Sequence, residues 1–224
     1  MSTLRSVLPR DIQLRHLTKR TIMTFADRHG FVYFGRVDQH KDEHQLVRGL
    51  TLSSQHRDNH YVVGTFESYD TALLQRTDTL RSPKKTSETH VWNIMQFDLH
   101  TNIELPHIFL GLHTQSQMFY SHVFTKFNTL QQTPLGTFGM HHEAFTSKYA
   151  IYTTPAESLA VERLFDTKIT SLIGEHFGAL TVEIADNSVY LYSSHKRVTK
   201  QLLETMLQNG IWLARHIDER AGQI

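Results

Sequence analysis

The sequence predicts a single α+β domain: an antiparallel β-meander with flanking helices, followed by strand–helix–hairpin–helix, with a long C-terminal helix. Three observations carry this. Apolar, β-branched and aromatic runs between residues 60 and 112 are separated by stretches too short to hold the crossover helices of parallel strands. Residues 11–29 and 198–220 instead place apolar side chains at helical spacing. Finally, helices precede and follow the strand-like run and do not alternate with it, which is the order of an α+β fold.

Each element has its own signal. In residues 11–29, Leu14, Leu17, Ile22 and Phe25 form an apolar stripe, and Gly30 stands where a left-handed C-cap belongs. Residues 31–35 (FVYFG) read as a short strand, and the polar residues 38–49 as a turn or two of helix. The meander follows as NHYVVGTF, DTALLQRT, THVWNIMQFDL and HIFLGL, divided by turn-prone residues 67–70 and by the loop LRSPKKTSE. Phe119, Val123, Phe124 and Phe127 predict a helix over 116–128, and residues 133–146 an irregular segment. Residues 148–154 (KYAIYTT) read as a strand. Pro155 opens a helix with Leu159 and Leu164 inward. Asp166 is the N-cap of another, whose stripe of Ile169, Leu172, Ile173 and His176 ends at Gly178. Val182 and Ile184, the Asp186-Asn187 turn, then Val189 and Leu191 predict a β-hairpin. The closing helix, 198–220, carries Leu202, Leu203, Met206, Leu213, Ala214 and Ile217, with Leu203 expected to be buried.

Composition excludes more than it assigns. At 224 residues with 39% hydrophobic and 20% charged side chains, the chain can bury a core without disulfide or metal. It has no cysteine, which excludes disulfides, thiol nucleophiles, iron–sulfur clusters and thiolate zinc sites. A formal charge of +1 gives no overall field toward nucleic acid or anionic lipid. The N-terminal MSTLRSVLPR lacks the apolar core of a signal peptide, and no apolar stretch is long enough for a membrane span, so a cytoplasmic location is expected.

The distinctive number is 16 histidines. His40 with His44, and His56 with His60, are spaced i,i+4, so each pair could share a metal if helical, with Asp38, Asp42 and Glu43 as oxygen donors. A random scatter of this many histidines yields about one such pair, so two are barely above chance. His141-His142-Glu143 has the residue types of an acid/base group but lacks the second histidine of a helical zinc motif. No GxSxG, phosphate-binding loop or GxGxxG is present, and no cofactor is expected. Arg81 with Lys84 and Lys85, and His195 with Lys196 and Arg197, are the densest basic clusters. The alternation of Trp92, Phe97, Tyr190 and Tyr192 marks these aromatics as core packing and not a base-stacking surface, so nucleic acid is not an expected partner.

Several stretches together resemble an uncharacterised bacterial domain family often preceded by membrane helices. They are residues 59–66 (NHYVVGTF), 105–110 (LPHIFL), Gly136-x-Phe138 leading to Phe145, Leu164-Phe165, and Glu183-Ile184…Asn187…Tyr190-Leu191-Tyr192 with the long closing helix. The resemblance spans roughly residues 14–217 and implies one domain of the fold above. It implies no catalytic residue, substrate or cofactor, since the family has no assigned activity. The chain departs from the family at Asp166, where a proline is usual, and in lacking the membrane helices. The expectation is a non-catalytic binding or interaction module with a protein partner, and the anchored relatives imply a membrane- or envelope-associated one. A histidine-dependent metal hydrolase is the alternative, and nucleic-acid binding a weaker one.

Overall fold

The structure, a computed structural model, describes residues 10–36, 47, 49, 50, 52, 56–81, 87–134 and 141–222. Helix α1 (Arg10–His29) stops at Gly30, which takes φ +70, and the Phe31 amide turns back to the Ala26 carbonyl at 2.9 Å. Its buried residues are Thr18, Ile22, Phe25 and Ala26, at three- and four-residue steps. Leu17 was expected on this stripe but is 50% exposed, because one residue is a rotation of about 100° and carries it off the inward face.

Among the described residues nine strands then form one antiparallel sheet: β1 (Val32–Gly35), β2 (His56–Phe66), β3 (Tyr69–Arg81), β4 (Ser87–Asp98), β5 (Ile108–Leu112), β6 (Gln131–Gln132), β7 (Tyr149–Thr153), β8 (Thr181–Ala185) and β9 (Ser188–Ser193). Their order is β1-β2-β3-β4-β9-β8-β5-β7-β6. The meander holds from β1 to β4, but β5 does not continue it. The β8–β9 hairpin inserts between β4 and β5, so Ile108–Leu112 pairs with β8 and β7. The β2–β3 and β8–β9 turns each place two residues at positive φ, Glu67-Ser68 and Asp186-Asn187, the twist that two-residue hairpins require. Asn187 also accepts from the Leu105 amide and donates to the Thr101 carbonyl, pinning the loop before β5 to the hairpin.

Both faces of the sheet are covered. On one lie α1, α3 (Glu143–Thr146), α4 (Ser158–Leu164), α5 (Thr167–His176) and α6 (Lys200–Ala221), packed on Leu73, Met95, Phe97, Leu110, Ile184 and Leu191. On the other, α2 (Gln117–Lys126) with Val47 and Leu50 covers Leu74, Trp92, Ile94, Phe109, Tyr190 and Tyr192. Gly210 brings α6 against the Phe97 ring, where an added Cβ would stand 2.0 Å from it. Pro155 opens only a single 3-10 turn, Pro155–Glu157, and α4 starts at Ser158. Val161 and Leu164 are the buried residues of α4, while Leu159 points away and is 50% exposed. Asp166 caps α5 as expected, accepting from the Ile169 amide at 2.9 Å. Burial works against its charge, but that amide and the Arg220 guanidinium outweigh it and lower its pKa.

Covering both faces buries charged strand residues. Arg76 of β3 is fully buried and donates through Nε and Nη2 to both oxygens of Asp58, each at 2.7 Å, while Nη2 also reaches the Val47 carbonyl at 3.2 Å. Burial opposes the guanidinium charge, but Asp58 and the nearby Asp78 more than offset it and raise the Arg76 pKa. This pairing depends on a bulge. Asn59 stands opposite Gln75 and Val62 opposite Leu73, so β2 carries one residue more than β3 between them, and His60 takes φ +57. The extra residue reverses which side chains face each layer. Past it, Asp58 meets Arg76 in the buried layer, while Arg57 and Asn59 turn to the helical side, opposite Thr77 and Gln75.

Two stability predictions follow from this packing. Leu203→Ala on α6, at a fully buried position, is expected to cost about 2–5 kcal/mol, read as a lowered urea midpoint. Arg76→Met is expected to cost about 3–5 kcal/mol because it strands Asp58 without a partner. The double variant Arg76→Met/Asp58→Leu should recover much of that, though not all, since Asp78 stays. Equal losses for the single and double variants would refute pairing as the cause.

Candidate functional site

Strands β2, β3 and β4, of 11, 13 and 12 residues, are the longest in the sheet and extend into an open groove on the helical side. The groove has a volume of about 1000 Å³. Its floor is the polar row of Asn59, Gln75, Thr77 and Thr79 with Val91 beside it. Strand alternation delivers these residues, since Arg76 and Asp78 between them face the opposite layer. The N-terminal half of α1 forms a wall through Ile12, Leu14, Arg15, His16 and Lys19, and Lys196, after β9, also borders the groove. His56, Arg57 and His60 of β2 complete the lining. Among the described residues, every charged one in the lining is basic: Arg15, Lys19, Arg57 and Lys196, with three histidines beside them.

The histidine candidates separate on inspection. His56 and His60 do reach the same groove, but on a bulged strand and not a helix, where an i,i+4 pair spans about 13 Å instead of one turn. His56 Nε2 lies 3.9 Å from Asp58, and His60 Nδ1 is 2.9 Å from the Tyr33 hydroxyl. His40 and His44 lie outside the described residues. His141 and His142 point apart. The His141 side chain is inside, Nδ1 2.8 Å from the Thr170 hydroxyl and Nε2 4.0 Å from Glu162. His142 instead caps α3, accepting from the Ala144 amide at 3.2 Å. Among the described residues no three His, Cys, Asp or Glu side chains converge as a metal-binding group.

A second polar constellation lies on the opposite face, at residues that the sequence reading left unassigned. Glu183 of β8 is buried between two partners. His107 Nε2 is 2.8 Å from Oε1, and the Tyr192 hydroxyl donates to Oε2 while accepting from the Leu50 amide at 2.6 Å. Burial first, and Glu183 second, hold the Tyr192 pKa well above the usual phenol value. The His107 ring also meets Phe127 edge-on at 4.9 Å. His107 and Glu183 border a cavity of about 440 Å³ whose other charged members, Lys126, Glu104, Glu157 and Asp186, are of mixed sign. A carboxylate that fixes one nitrogen of an imidazole leaves the other to bind or carry a proton. The available signal was a glutamate within an otherwise apolar and hydroxyl-bearing strand, TVEIA, and a histidine directly before the buried run IFLGL.

The histidines also set a pH dependence. His176 was expected to be the buried one, on the α5 stripe, but its side chain is 63% exposed because α5 ends there and turns its last residue to solvent. Burial lowers the pKa of His60, His90 and His216, with Lys19 adding to it at His60, Glu88 at 2.9 Å opposing it at His90, and Arg220 adding to it at His216. Folded pKa values below the unfolded one mean that the unfolded chain takes up more protons on acidification. Stability is therefore full above about pH 6.5 and falls as pH drops toward the folded values. Urea unfolding from about pH 8 to 5 should show a plateau and then a decline. His90→Gln should make the decline shallower.

The chain matches no protein-family model. No curated protein matches its sequence either. Its fold is similar to the crystal structure of the mycobacterial trehalose monomycolate transport factor A, TtfA, with a TM-score of 0.59 over 90% of this chain and 93% of that chain. Sequence identity between them is 12%, so the likeness is one of fold alone.

Proposed function

We propose that this chain is a non-catalytic binding module that takes a protein partner in the groove beside α1, the partner belonging to a membrane or envelope assembly. The observation that carries the reading is the make-up of the groove: a large open surface of hydroxyl, amide and aliphatic side chains bordered by cations, suited to hold a surface laid against it. The fold likeness to a transport factor is in keeping with a module that binds. The membrane or envelope setting rests on the resemblance to a membrane-anchored domain family and not on a span in this chain. Among the described residues no helix is long and apolar enough to cross a membrane.

A hydrolytic reading has one observation in its favour, the His107 imidazole held by Glu183 at a cavity wall, as a general base would be. Two measurements decide between them. A photo-crosslinking benzoylphenylalanine at Thr77 in the groove should capture one discrete protein from the membrane fraction, and the same group at exposed Lys168 on α5 should not. Equal capture at both positions, or none at Thr77, would sink the binding reading. Turnover of ester or peptide substrates that disappears in His107→Gln would replace it with the hydrolytic one.

A further inference from the structure

We infer that the occupant of the groove is an acidic peptide segment, an Asp- or Glu-rich stretch of the partner protein; this rests on the groove being the binding surface proposed above. The first argument is charge segregation. The chain has 23 basic and 22 acidic residues, so a surface of this size would ordinarily mix both signs. Among the described residues the groove does not: Arg15 and Lys19 come from α1, Arg57 from β2 and Lys196 from the loop after β9, and none of its described lining residues is a carboxylate. Cations converge here from three separate parts of the chain. Such a surface favours an anionic partner and repels a cationic one.

The floor narrows the class of anion. Asn59, Gln75 and Thr77 each both donate and accept hydrogen bonds, which suits the alternating N–H and C=O groups of an extended peptide. Single-stranded nucleic acid would call for aromatic platforms, and among the described residues no Phe, Tyr or Trp lines the groove. A lipid would call for a continuous apolar wall for its acyl chain, and the aliphatic lining is Ile12, Leu14 and Val91, divided between α1 and β4. The volume of about 1000 Å³ is also at the upper end for a small-molecule pocket, which leaves room for several residues of chain.

The test is fluorescence anisotropy of a fluorescein-labelled oligoglutamate with the full-length chain. Binding should weaken with added salt, and Lys19→Glu and Arg57→Glu should each weaken it by about three- to tenfold. The triple variant Lys19→Glu/Arg57→Glu/Lys196→Glu should lose oligoglutamate and gain labelled oligolysine. These positions are exposed, so its thermal midpoint should stay that of the parent. Lys168→Glu, outside the groove, should leave the affinity unchanged. Absence of oligoglutamate binding would overturn the inference, as would equal weakening by Lys168→Glu. Tighter binding of phosphatidylglycerol vesicles or of oligothymidylate with the same variant dependence would overturn it too. If Thr77 crosslinks a discrete protein while oligoglutamate does not bind, the binding module stands and its acidic partner falls. If neither occurs, both fall.

Discussion

A polar sheet residue under a covering layer cannot be left to water, and the Arg76–Asp58 pair is where this constraint is most severe. Two charges held between the sheet and its cover cost several kcal/mol each unless they meet in good geometry. They meet because β2 is bulged, and the bulge in turn sets which residues of β2 face the helical side. The Val47 carbonyl caps the guanidinium, and three residues on, the Leu50 amide caps the Tyr192 hydroxyl that holds Glu183. Gly49 lies between them at φ +45, with the Tyr192 hydroxyl 2.2 Å from where a Cβ would stand. A short backbone segment thus closes the buried pairs of β2–β3 and of β8–β9 from one side.

The elements were legible in the sequence where periodicity acts locally. The closing helix shows this best: Leu203, Met206, Leu213, Ala214 and Ile217 are all buried. The Asp166 cap and the Asp186-Asn187 turn are equally local and were equally readable. The errors came from decisions made elsewhere in the chain. Strand β5 was assigned to the meander because the connection before it is too short for a crossover helix, but the β8–β9 hairpin takes that position. Leu17 and Leu159 are apolar residues at helix positions that no other element covers, and an apolar residue carries no mark of being left exposed.

The site was less legible than the fold. Histidine count drew attention to His56 and His60, and these do lie in the groove, but for a reason unrelated to the helical spacing that singled them out. The basic character of the groove could not be read in the same way. Arg15, Lys19, Arg57 and Lys196 are scattered through the chain, and the densest basic cluster after β9 contributes Lys196 to the lining. A neutral total of charges conceals such segregation, because only the fold decides which side chains share a surface. Glu183 and His107 were hidden in the opposite way, as single polar residues in apolar runs, where one polar residue reads as an interruption.

The bulge at His60 has a genetic corollary. Side chains on a strand have only two orientations, so an inserted or lost residue is a parity operation on everything beyond it. Losing one residue at His60 would exchange the layers of residues 56–59: Asp58 would pass to the helical side, and Arg57 and Asn59 would press into the aromatic layer under α2. The same sequence, one residue shorter, would put its charges on the wrong side of the sheet. Within this strand the chain should therefore tolerate changes of identity far better than changes of length, and relatives should keep the spacing between Asp58 and Val62 even where they keep none of the residues between them.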